Sequence, residues 1–181
     1  NYMIALALSQ FLWKHHYEVF NFFKSIISGL DPRSSILEVG SGHGLFLLEI
    51  LKIINKDNTI NVVDISKSSI RMTKNIIKSI DENLARHINF HLSDICHYKT
   101  DKKYNFITMG EVIEHLDNPF EVLTLIEKNL VEGGQLILST FNFDSIFSKI
   151  MGKNYPWIIP MHKYYFSNKT IDNCLAKSNL K

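Results

Sequence analysis

Apolar and polar positions change period several times along this chain, and each change marks an element. Residues 2–28 carry apolar side chains at helical spacing (Leu8, Phe11, Leu12, Val19, Phe20, Phe23, Ile26, Ile27), with Gly29 where a C-cap belongs. That spacing predicts one or two helices, and Asp31-Pro32 a turn behind them. Strands are expected over 35–39, 59–63, 88–92, 104–109 and 135–140, the last following a turn at Gly133-Gly134. Helices are expected over 45–54, 67–80, 111–116 and 120–130. This alternation implies an α/β fold, a Rossmann-like, doubly wound and mainly parallel sheet with helices on both faces.

Beyond Thr140 the period is lost and aromatic residues gather, from Phe141 and Phe143 through Phe147, Tyr155 and Trp157 to Tyr164, Tyr165 and Phe166. Such a segment reads as a cap over one end of the sheet, with about half of the rings expected to fill core. A last helix starts at Ser167 or Asn168 and runs through Lys177. One domain is expected over 1–181, made of an N-terminal helical lid (1–30), a core (31–140) and the cap with its helix (141–181).

Composition narrows the class. A chain of 181 residues suits a single core. Twenty Lys and Arg against 18 Asp and Glu leave a net charge of +2, too balanced for a nucleic-acid or membrane surface. No uncharged apolar run reaches the length of about 18 residues that a membrane span needs. Residues 3–13 are apolar but lack the basic leader and small-residue cleavage site of a signal peptide. Cys96 and Cys174 have no metal-ligand spacing and read as reduced thiols of a cytoplasmic protein. A chain starting at Asn1 reads as a trimmed piece.

The informative segment is Ile36-Leu37-Glu38-Val39-Gly40-Ser41-Gly42-His43-Gly44, which leads from a strand into a helix. Glycines at 40, 42 and 44 let the backbone turn sharply and approach a ligand closely, and the free N–H groups of the following helix suit a carboxylate. A dinucleotide fingerprint would place its third glycine at Leu45. Glu38 disfavours a pyrophosphate and can accept from an ammonium. Asp64, ending the second strand, can accept both hydroxyls of a ribose; the plainer reading is a helix N-cap at Asp64 or Ser66. Asp94 can accept from an adenine amino group between Ile65 and Ile95, or be an ordinary loop aspartate.

ILEVGSGHG, VVDIS, LSDI, FITMGEVIEHL and LVEGGQLILST resemble, in order and spacing, the successive motifs of class I S-adenosylmethionine-dependent methyltransferases over about residues 34–140. The resemblance implies S-adenosylmethionine as cofactor. It assigns Gly40, Gly42 and Gly44 to the methionine part, Asp64 to the ribose, and Asp94 with Ile95 to the adenine. Met109 and Gly110 would line the floor near the methyl group. It also implies an antiparallel strand pair after the helix ending near Lys177, for which this chain has no room.

Methyl transfer needs an aligned acceptor and a base. Glu111, Glu114 and His115, at i, i+3 and i+4, share one face if their segment is helical. His115 can serve as the base or be a structural histidine; Glu111 orients donor or substrate, and Glu114 caps or pairs. EVIEHL resembles a segment of ubiquinone-pathway O-methyltransferases and of small-RNA 2′-O-methyltransferases in which such residues hold a metal. That resemblance makes Glu111, Glu114, His115 and His162 metal candidates, although many metal-free small-molecule enzymes share the turn. His15-His16 read as a solvated helix face or part of an acceptor lid. The expected function is methylation of an O, N or C atom of a small, partly apolar acceptor, with an RNA 2′-O-methyltransferase and a noncatalytic donor-binding domain as alternatives. No membrane partner is expected, and nucleic acid is disfavoured by the charge.

Overall fold

The structure, a computed structural model, describes residues 2–55, 58 and 60–180, apart from the side chains of residues 2–6 and 15. Thr59, at the expected start of the second strand, lies outside the described residues, as do Asn1, Lys181 and the side chain of His15.

Five parallel strands form one sheet in the order β3-β2-β1-β4-β5. They are β1 (Ile36–Val39), β2 (Ile60–Asp64), β3 (Ile88–Leu92), β4 (Tyr104–Gly110) and β5 (Leu130–Ser139). Two helices precede the sheet, α1 (Tyr2–Leu12) and α2 (Lys14–Ile27), broken at Trp13. Then come α3 (Leu45–Leu51), α4 (Lys67–Ile80), α5 (Pro119–Asn129), α6 (Ile146–Met151) and α7 (Asn168–Lys177). Successive strand residues point to opposite faces, so Ile36, Val62 and Phe106 pack under α2, α3 and α4, while Leu37, Val63 and Ile107 pack against α5 and α7. Among the described residues no helix is long and apolar enough to cross a membrane.

Several expectations are corrected. The expected helix over 111–116 is only a one-turn 3-10 helix, Ile113–His115. Glu111 has φ 53° and donates its N–H to Ser139 O at 3.0 Å, which prevents a helical start there. Pro119 then disfavours helix at Asn118, which instead caps α5. Glu111, Glu114 and His115 therefore do not share a regular helical face. β5 begins at Leu130 rather than 135, since Leu130 pairs with Tyr104 and Gln135 with Phe106. Residues 131–134 bulge between these pairs, with Gly133 at φ 73°, so the Gly-Gly turn lies inside the strand. α3 stops at Leu51, where Ile53 N–H bonds to Ile50 O and tightens the last turn. Ser28, not Gly29, caps α2, and Gly29 has no left-handed φ. Of the rings in the cap only Phe166 is fully buried, fewer than expected.

Candidate active site

The C-terminal ends of β1, β2 and β4 meet at one edge of the molecule, where doubly wound sheets hold ligands. β1 runs into the glycine turn, and Gly40, Gly42 and Gly44 adopt φ of 81°, 49° and 76°. A Cβ on Gly40 would lie 2.5 Å from Val112 Cγ2, so the loop after β4 rests directly on this turn. Asp64 fastens the turn from the neighbouring strand. Its Oδ2 accepts from Ser41 N (2.7 Å) and Ser41 Oγ (2.8 Å), and its Oδ1 from Ser66 N (2.7 Å). The helix cap proper is Ser66, which accepts from Ser69 N. A carboxylate has about four lone-pair positions, so three are used in holding the two loops.

Glu38 is 3% exposed, with Oε2 lacking a hydrogen-bond partner. Burial, reinforced by the nearby charge of Asp64, pushes its carboxyl well above the usual range. His43, also buried, accepts from Leu45 N through Nδ1 at 3.1 Å, and burial with the proximity of His16 lowers it to about 4. His16 Nδ1 is 2.7 Å from Ser9 Oγ, which ties α1 to α2 near the turn.

Of the residues assigned to the adenine, Ile65 is 72% exposed, whereas Ile95 is buried in the core. Asp94 Oδ1 accepts from Cys96 N at 2.9 Å and caps the one-turn 3-10 helix Ile95–His97. The Met109 side chain is wholly buried in the core, so only its backbone can face a ligand.

At the end of β4 the aromatic cap folds back. Lys163 N and Tyr164 N both donate to Glu114 O, at 2.8 and 3.2 Å, and Lys163 pairs with Asp117. This brings His162 beside His115, with ring centroids 4.8 Å apart. His115 Nδ1 bonds to Met161 O (2.9 Å) and His162 Nδ1 to Trp157 O (2.8 Å). A carbonyl only accepts, so both rings carry hydrogen on Nδ1 and leave the Nε2 lone pair for other work. Burial lowers His162 and raises Glu114. Glu114 is buried, with Oε2 accepting from Thr140 Oγ1 at 3.0 Å and Oε1 unpartnered. One ligand atom from each of Glu114, His115 and His162 lies within 4.8 Å of the others. Glu111, the fourth metal candidate, falls outside that cluster, although its side chain lies beside Glu114 and offsets part of the effect of burial there.

Phe141 stacks on Trp157 (4.4 Å, 19°) and approaches His162 at 5.5 Å, and Trp13 reaches Trp157 at 6.1 Å. Sequence reasoning missed Ser41, Val112, Thr140 and Trp13. Ser41 lies inside the glycine motif and was accessible in principle; Thr140 and Trp13 act on partners far along the chain, which leave no local signal.

A family profile described as a methyltransferase domain matches residues 13–181. The mitochondrial ubiquinone biosynthesis O-methyltransferase of Candida albicans is 29% identical over 154 residues, 83% of this chain and 45% of that protein. Malonyl-[acyl-carrier protein] O-methyltransferase 2 of Ilyobacter polytropus is 34% identical over 113 residues, 62% of this chain and 41% of that protein. The chain thus spans less than half the length of these curated relatives. The N-methyltransferase NodS of Bradyrhizobium japonicum, solved with S-adenosyl-L-homocysteine, superposes with a TM-score of 0.66 at 19% identity, over 91% of this chain and 74% of that one. That likeness shows a shared fold.

Proposed function

Given that this chain belongs to the methyltransferase domain family, we propose that it transfers the methyl group of S-adenosylmethionine to an oxygen, nitrogen or carbon of a small, partly apolar acceptor. The observation that carries this reading is the pair His115 and His162, whose Nε2 atoms are left available beside the buried Glu114, on and against the loop whose Val112 rests on the glycine turn. The donor's carboxylate would meet the turn at Gly40, Gly42 and Gly44, its ammonium the free oxygen of Glu38, and its ribose the remaining acceptor capacity of Asp64. Ile65 is open to cover the adenine, with Asp94 and Ile95 on the adjoining turn. In the reaction the acceptor lone pair attacks the methyl carbon, the C–S bond breaks, and its electrons stay on the sulfur of S-adenosylhomocysteine. The acceptor's proton passes to Nε2 of His115. Glu111, beside Glu114, orients the reactants, and Phe141 with Trp157 excludes water.

A second reading is favoured by the unpartnered Glu114 Oε1 beside two imidazoles with carbonyl-bound Nδ1 atoms. This donor set fits a divalent transition-metal ion. Glu114, His115 and His162 would hold it, and it would supply a Lewis acid that lowers the acceptor's pKa. A cytoplasmic location belongs to the same proposal and rests on the free thiols of Cys96 and Cys174.

S-adenosylhomocysteine at millimolar concentration is expected to raise the melting temperature, while NAD leaves it unchanged; the opposite result removes the donor assignment. His115→Ala is expected to cut turnover about 100-fold or more with donor affinity retained; full activity excludes it as the base. Activity that survives a chelator with metal-free buffers decides for the imidazole base over the metal.

A further inference from the structure

The face of β2 and β3 turned away from α4 carries polar residues where a covered sheet face is normally apolar. Asn61 and Asn89 are register partners across these strands, and His91 stands beside Val63 on the same face. Asn61 is only 3% exposed, yet its Oδ1 is bonded to His91 Nε2 at 3.0 Å and not to any covering element. The reason lies in the next connection. Between β3 and β4 the chain forms just the one-turn 3-10 helix Ile95–His97 and an irregular segment, so no α-helix covers this part of the sheet. A cleft of about 450 Å³ is left there, bounded by His97, Lys99, Thr100 and Lys102 on the outer side.

Its charge is one-sided. The chain as a whole is nearly balanced, with 20 basic and 18 acidic residues, but among the described residues two lysines and two histidines line this cleft and no carboxylate does. The Asp101 side chain is the nearest acid in sequence and is exposed, and Asp94 is engaged in capping the 3-10 helix. His91 is held by Asn61 on one edge and by the Tyr98 ring, 4.9 Å away, on its face. Neutral His91 therefore donates from Nε2, and protonation adds a second N–H at Nδ1. Burial and the charge of Lys102 hold this imidazole below its ordinary range, so an anion that offsets Lys102 would return it toward protonation. The cleft runs from Asn61, three residues and roughly 10 Å before Asp64 on β2, to Leu92 and Ser93, which lead into Asp94 of the proposed donor site.

We propose that this cleft binds the phosphoryl group of a small phosphate monoester, with Lys99, Lys102 and protonated His91 around the dianion and Asn61, His97 and Thr100 available to its uncharged part. Inorganic phosphate is the probe. Imidazole resonances of His91 and His97, followed by NMR at constant ionic strength, should shift saturably at millimolar phosphate, and the His91 titration should move to higher pH. Lys102→Glu should weaken phosphate at least tenfold, and affinity should fall as pH rises through the bound His91 midpoint. S-adenosylhomocysteine binding should be untouched in Lys102→Glu, so that loss of phosphate binding is separable from loss of the donor. Equal shifts with chloride, no saturation, or unchanged affinity in Lys102→Glu overturns the site. A circular dichroism spectrum matching wild type confirms that the variant is folded, and Lys99→Glu serves in its place if it is not. Tighter capture of a phosphorylated peptide or RNA than of glycerol phosphate overturns the small-molecule assignment.

Discussion

His43 lies inside the glycine turn and Glu38 two residues before it, and burial disfavours the charged form of each. Glu38, with its carboxyl raised, contributes stability that is complete below its ordinary value near 4.5 and is lost as pH rises through the folded value. Glu38→Gln keeps the shape without the titration. It is therefore expected to melt higher than the parent chain at pH 7 to 8, with the gap closing near pH 4, and to bind S-adenosylhomocysteine more weakly through loss of the ammonium contact. Calorimetry across pH checks both parts. His43 works in the opposite direction, since its folded value is depressed from 6.5 to about 4. The associated stability is present above pH 6.5 and is lost as pH falls toward 4, by on the order of 3 kcal/mol. His43→Gln should flatten that acid limb; an unchanged limb would assign it to other groups. Asp64→Ala should weaken the donor by roughly one to two orders of magnitude and also loosen Ser41. Asp64→Asn, which retains part of the bonding to Ser41 and Ser66, separates the two effects.

At the scale of elements, the turn between β1 and α3 is held from two sides by packing that only glycine allows. Gly44 has φ 76°, and a Cβ there would meet Thr73 of α4 at 3.0 Å; Gly40 is closed off in the same way by Val112. Gly44→Ala is expected to cost about 2 kcal/mol or more, from left-handed strain plus the clash. Thr73→Ala removes a buried hydroxyl that has no hydrogen-bond partner, so it should be close to neutral alone. Combined with Gly44→Ala it should restore the steric part and leave the strain. Denaturant unfolding of the three variants measures the split, and strict additivity would show that the two residues do not press on each other. The elements themselves were legible to different degrees. α4 follows the predicted bounds because its periodicity runs unbroken from the Ser66 cap, and β3 because apolar and polar residues alternate through Ile88–Leu92. The stretch 111–116 did not, because its apolar spacing looks helical while the chain bends at Glu111 to reach Ser139 on another strand.

Across the whole molecule, the cap and the N-terminal helices meet above the histidine pair. Trp157 is the link, stacked on Phe141 and edged by Trp13 between α1 and α2, while Phe23 of α2 packs on Phe46 of α3 at 4.6 Å. α2 is thus anchored to the core, and the joint between α1 and α2 rests on the cap through Trp13. Trp157→Ala is expected to speed amide exchange in α1 and to raise the acceptor's KM several-fold while donor affinity holds, as an element with fewer packed contacts opens at lower cost. Exchange unchanged in α1 would show that its position does not depend on this ring.

The sequence by itself determined the alternation of strands and helices, the parallel sheet and the glycine turn with its acids. These depend on local period, on glycine's freedom and on residues close together in the chain. Tertiary structure alone decided which side chains share a site. His162 reaches His115 across 47 positions because residues 163 and 164 bond back to Glu114, and the connection after β3 left Asn61 and His91 facing a cleft instead of a helix. Such pairings are set by where loops return in space, a long-range property that the spacing of apolar positions does not encode.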